Sequence, residues 1–196
     1  SLDVVSLGAA TNNDNGASSP YGGQILLDFV QPIWNGPGPD FTIFENVFYI
    51  GGNPERRFME PAAVSVSKDG QLWFQFPLHF SPRYNTDGSL NLRHPFTYSR
   101  GFAGINPVLS NNGWPDPTDP NLSGGDSFDL SDLGLDWVRF VKIQSTGHLW
   151  MLDQFEQPIH HNQETNAANR ESPTSGFDLD AAVRIWIRRI SATSSP

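Results

Sequence analysis

Six oxygen-bearing side chains carry the clearest chemical signal in this sequence. Asp40, Glu45 and Asn46 flank one short apolar run, Glu60 stands just before another, and Asp178 and Asp180 bracket Leu179 at the start of a third. In an extended strand residues i and i+2 point to the same side, so Asp178 and Asp180 are expected to present both carboxylates to one ion. Calcium takes about six to eight oxygens, backbone carbonyls among them, and chain-distant acids are its usual supply. Calcium is therefore the expected cofactor, with Asp40, Glu45, Asn46, Glu60, Asp178 and Asp180 as its metal set. The competing reading of the same residues is edge-strand acids and turns that bond backbone amides.

Other constellations are weaker. Thr11-Asn12-Asn13-Asp14-Asn15-Gly16 resembles the start of an EF-hand loop, but it supplies one charge and lacks the closing glutamate, so an Asx-rich loop is expected there. His160 and His161 are adjacent and would point apart in an extended chain, and His79, His94 and His148 stand alone. With no His-Glu-x-x-His motif and no cysteine, neither zinc nor a thiol nucleophile has a ligand pattern. No Gly-x-Ser-x-Gly elbow and no phosphate-cradling Gly-x-x-x-x-Gly-Lys occurs, and nothing fixes a carboxylate pair for glycoside cleavage. No catalytic residue is assigned. Aromatic rings in polar surroundings are a better signal: Trp114 lies between Gly113 and Pro115, and Trp34, Tyr98 and Trp150 have similar settings, as do Tyr49, Tyr84 and Trp186. A ring can offer its face to a sugar's C–H surface while neighbouring polar groups bond its hydroxyls; equally, such rings can cap the ends of a core.

The elements that must position these groups are short strands. Of 196 residues, 37% are hydrophobic and 17% charged, with 18 Gly, 16 Pro and 12% aromatics, a composition suited to many strands joined by turns. Strand-length apolar runs occur at residues 4–7, 24–29, 41–44, 63–66, 72–76, 138–143 and 182–187. Strict alternation would put Val138, Phe140 and Lys142 on one face of their strand, with Trp137, Arg139, Val141 and Ile143 on the other. In the last run it would turn Val183, Ile185 and Ile187 inward. Lys68-Asp69-Gly70 is the expected hairpin turn, and a single helical turn capped by Asp129 or Ser131 is expected at 129–133. Residues 85–121 and 148–176 are polar stretches too long for ordinary loops. One domain over 1–190 is expected, with a polar tail at 191–196.

Charge and hydropathy narrow the partners. The formal net charge of −9 repels a phosphate backbone, so nucleic acid is not an expected partner. No apolar run approaches the roughly 20 residues that span a bilayer, so no direct membrane insertion of this segment is expected.

The strings Gly22-Gly23-Gln24-Ile25-Leu26-Leu27-Asp28-Phe29 and Asn35-Gly36-Pro37-Gly38-Pro39-Asp40-Phe41-Thr42-Ile43-Phe44-Glu45-Asn46 resemble blocks of a family of bacterial cell-surface proteins that often carry a PEP-CTERM sorting signal. Residues 60–70, 102–104, 125–130 and 176–181 are similar to further blocks in the same order. Residues 64–73 and 138–143 also look like strands of discoidin-type, galactose-binding-like sandwiches. The resemblance implies an all-β jelly-roll β-sandwich of two antiparallel sheets with long loops, secreted or on the cell surface. The expected function is a calcium-stabilised binding module, carbohydrate-binding or adhesive, whose partner is a polysaccharide or cell-surface glycan. The alternatives are a purely structural surface domain without a small-molecule ligand and, ranked last, a glycan-active hydrolase.

Overall fold

The computed structural model describes residues 5–7, 23–54, 57–82, 86–89, 96–109, 116–146, 151–156, 159 and 177–185. In chain order the strands are β1 (Val5–Ser6), β2 (Gln24–Trp34), β3 (Phe41–Glu45), β4 (Phe48–Tyr49), β5 (Arg57–Phe58), β6 (Ala62–Ser67), β7 (Phe74–Gln75), β8 (His79–Pro82), β9 (Phe96–Arg100), β10 (Phe102–Ala103), β11 (Asp126–Phe128), β12 (Trp137–Ser145) and β13 (Asp178–Arg184). One sheet has the order β1-β13-β3-β11 and the other β10-β6-β12-β2, with β7 added beside β6. Every pairing in them is antiparallel. The chain is an all-β sandwich, as its composition leads one to expect. Among the described residues no helix is long and apolar enough to cross a membrane.

The core lies between the two sheets. Ile33, Phe41, Ile43, Val64, Val66, Phe128, Val138, Val141, Ile143 and Leu179 are all buried there. Phe41 stacks on Phe128 at 5.1 Å between ring centroids, and Phe76 tilts against Phe128 at 4.9 Å. Each such ring stabilises the fold by roughly 1.5–3 kcal/mol through burial alone. On the far face of the second sheet Ala63, Leu78, Phe102, Ile105 and Ile159 form a second cluster. That face carries a further layer because small Ala63 leaves room for Phe102, its partner across β6 and β10.

Two bulges correct the face assignments that strict alternation implies. The register of β12 on β2 slips between Val138 and Phe140, so Val138, Val141 and Ile143 share the core while Phe140 and Lys142 face away. Around the slip β2 carries extra residues and Val30 is 90% exposed. In β13 the slip falls between Leu179 and Ala181, and Ala182 and Arg184 then stand opposite Ile43 and Phe41. Val183 therefore sits with Thr42 on the outer face, and Arg184 reaches across to donate to the Pro32 carbonyl at 3.3 Å. Ile187 is outside the described residues.

Turns follow the expected chemistry. Ser67 and Asp69 accept from the backbone amides of Gly70, Gln71 and Leu72, and Gly70 takes φ 75°, closing the turn that leads from β6 to β7. Asp129 caps a 3-10 turn at Leu130–Leu133 through the Ser131 amide. A one-turn helix, α1 (Pro120–Ser123), is capped by Asp119 with Pro at its first position.

Candidate metal centre

Strand alternation carries an acid into the edge of the core. On β3 the core-facing positions are Phe41, Ile43 and then Glu45, which is directly opposite core residue Leu179. The same end of the sandwich holds the chain just before β6, where the Glu60 amide donates to the Gly104 carbonyl at 3.2 Å. Gly104 has φ 78°, and a Cβ there would lie 2.4 Å from the Glu60 carbonyl oxygen, so only glycine lets the two backbones approach this closely. Asp178 enters from β13, immediately after fully buried Phe177. Glu45, Glu60 and Asp178 thereby bring one carboxylate oxygen each within 4.8 Å of the others.

The environment opposes three charges there. Glu45 and Glu60 are each 1% exposed, and Asp178 is half-buried. Among the described residues neither Glu45 oxygen has a partner at hydrogen-bond geometry, and Asp178 Oδ1 is likewise buried without one. Burial, followed by repulsion from Glu60 and Asp178, pushes the Glu45 carboxyl up to about 9, and the nearby Asp178 amide offsets this only in part. Buried carboxylates in this state need a proton or a cation. Oxygen-only ligands suit a hard divalent cation, and Glu45, Glu60 and Asp178 are the residues able to hold it.

The remaining members of the expected metal set divide. Asn46 donates to Asp178 Oδ2 at 3.4 Å and so borders the cluster. Asp180 is exposed on the strand that carries Asp178; desolvation and the Asp178 charge raise its pKa, and its own charge adds to the repulsion on Glu45. Asp40 does not join them. It precedes β3 at the opposite end from Glu45, is fully buried, and accepts from the amides of Gly36 and Leu130, both at 2.7 Å. Burial raises its pKa while those two amides lower it. Asp40 is a turn staple, the backbone-bonding alternative for that acid.

Among the aromatic candidates, Trp34 is half-buried at the Asp40 end, tilted against Trp137 with centroids 6.1 Å apart. Lys68 Nζ lies 5.4 Å from the Trp137 ring centroid. Tyr49 is half-buried with the Arg57 guanidinium 5.9 Å from its ring centroid. Tyr98 belongs to β9, but its side chain is outside the described ones. Trp114, Trp150, Tyr84 and Trp186 lie outside the described residues, as do the loop 11–16, His94, His148, His160, His161 and the tail 191–196.

Asp126 is a buried acid that pattern reading passed over. It is 4% exposed and accepts from the Ile105 amide at 3.0 Å and from Asn106 Nδ2 at 2.8 Å, while Arg57 donates to Asn106 Oδ1 at 2.7 Å. Desolvation outweighs these bonds and pushes its carboxyl up to about 6. Its sequence signal was its place two residues before Phe128, on the core-facing side of β11. No family model matches the chain, and no curated protein matches it.

Proposed function

We propose that this chain is a cation-stabilised β-sandwich binding module of an extracellular surface, with calcium held by Glu45, Glu60 and Asp178. The observation that carries the cation is Glu45: it is 1% exposed, neither of its oxygens has a hydrogen-bond partner among the described residues, and two further carboxylates converge on it. Calcium fits better than a softer metal because the cluster offers carboxylates alone, and water and backbone carbonyls commonly complete its shell. Asn46 bonds the Asp178 carboxylate from beside the site, and the Asp180 charge adds to the negative potential there.

The strand order supports a jelly roll. The eight strands of the two four-strand paths pair as a long hairpin rolled on itself, β1 with β13, β2 with β12, β3 with β11 and β6 with β10. A surface location rests on the likeness of residues 22–29 and 35–46 to surface-protein blocks, and a glycan partner or adhesive role on fold analogy.

A thermal melt tests the cation. In calcium at about one hundred times its Kd the fold gains about 2.7 kcal/mol, and EDTA removes that gain. Glu45→Gln should abolish the response while raising the melting temperature in EDTA at neutral pH, since a neutral amide folds without the proton uptake that Glu45 requires there. A melting curve indifferent to calcium and to EDTA removes the metal from this reading.

A further inference from the structure

We propose that the open edge of the sandwich between β10 and β11 is a binding cleft for a single neutral sugar ring. These strands end their respective sheets on the same side, and the gap between them is a half-open cleft of ≈ 270 Å³. That is just under the volume of sites for drug-sized molecules and suits one hydroxylated ring. Pro77 supplies an exposed apolar edge against which a sugar's C–H groups can rest, while Phe102 and Phe128 line the cleft as core residues only 2% and 4% exposed.

Arg100 and Asp132 also line the cleft. Their side chains are 70% and 49% exposed, and the closest N···O distance between them is 3.8 Å. That is longer than a hydrogen bond, and an ion pair this exposed adds little to folding. A guanidinium and a carboxylate side by side can donate to one hydroxyl of a ring and accept from the next, which a vicinal diol matches and an isolated alcohol does not.

Charge selects the neutral ligand. Asp126 and Asp132 repel an anion, while Arg57, bonded to Asn106, and Arg100 repel a cation. Two acids and one guanidinium line the cleft, and Arg57, bonded to Asn106 outside that lining, adds a second positive charge nearby that brings the cleft close to balance. Asn106 is already engaged through both ends of its amide, to Arg57 and to Asp126, so it fixes the shape of the wall. The inference rests on the reading of the chain as a binding module and not on its cation.

Calorimetric titration of the full chain in calcium tests it, using the methyl glycosides of galactose, glucose, mannose and N-acetylglucosamine, with methyl glucuronide and methyl glucosaminide as charged counterparts. At least one neutral glycoside should bind saturably, with a Kd on the order of 0.1–10 mM. Arg100→Met and Asp132→Asn should each weaken it about tenfold or more while leaving the melting temperature unchanged, because both side chains are exposed. Three results overturn the cleft: no saturable binding by any neutral glycoside, tighter binding of a charged counterpart, or binding indifferent to both substitutions. Repeating the titration with Glu45→Gln separates the two proposals. Sugar binding that survives alongside a lost calcium response bears out both, whereas a calcium response without sugar binding removes the cleft alone.

Discussion

Glu45 occupies a position where alternation demands an apolar side chain and the sequence supplies an acid. The thermodynamic sign of that conflict is fixed by its pKa, which rises from 4.5 to about 9 in the fold. Without a cation, the folded chain keeps the proton while the unfolded chain releases it above about pH 4.5, so the unfolded state binds fewer protons and stability falls as pH rises from about 4.5 to about 9. Asp126, raised from 3.8 to about 6, adds a decline across that narrower interval. Melting temperatures in EDTA should therefore drop steadily from pH 5 to pH 9, and Glu45→Gln should flatten the curve above about pH 6. A wild-type profile flat over that range would mean that Glu45 is already ionised and compensated. The acids of this cluster were readable because each abuts an apolar run, and an acid at the end of a core strand has few places to go. Asp40 abuts one too. Nothing in its neighbours distinguishes an acid at the end of β3 that meets other acids from one at its start that meets the amides of Gly36 and Leu130.

At the level of elements, the cluster depends on how closely the chain before β6 approaches the turn after β10. Gly104 sets that approach. Gly104→Ala places a Cβ 2.4 Å from a backbone oxygen at φ 78°, and should cost more than about 2 kcal/mol while weakening the calcium response, because Glu60 must move. Gly134→Ala is the control: its φ of 65° carries similar strain, but nothing lies within 4 Å of the new Cβ, so the cost stays near about 1 kcal/mol with the calcium response intact. Equal losses in urea unfolding at the two positions would show that backbone strain alone is being measured. Strand positions were largely legible from short apolar runs between turn residues. Their faces were less so, since the slips after Val138 and after Leu179 reverse the alternation and depend on partner strands distant in sequence. The two-residue strands β4, β5 and β10 gave no separate signal, because so short a pairing has no period to detect, and β8 and β9 gave none because their sequences mix Pro, Ser, Thr and Arg with single aromatics rather than forming an apolar run.

For the whole molecule, composition settled the class and topology the difficulty of reaching it. Few Lys and Arg, many Gly and Pro and no long amphipathic stretch point to sheets, but no local pattern says that Val5 pairs with Leu179. Contacts of such long sequence separation must be reached against loop-closure entropy, so refolding from urea should take milliseconds to seconds. Stopped-flow tryptophan fluorescence checks this; recovery of the full amplitude within microseconds would be incompatible with these pairings.

β13 lies between β1 and β3, so a ribosome must release residue 179 before Val5 can find its partner or β3 can be covered on that side. A nascent chain of this kind stays unzipped at both flanks of that slot until β13 has emerged, and the acid that arrives with β13 is the last of the three to reach the cluster. Any ion it helps to bind would serve as a clasp on copies in which β13 has been inserted, leaving copies without it open to proteases.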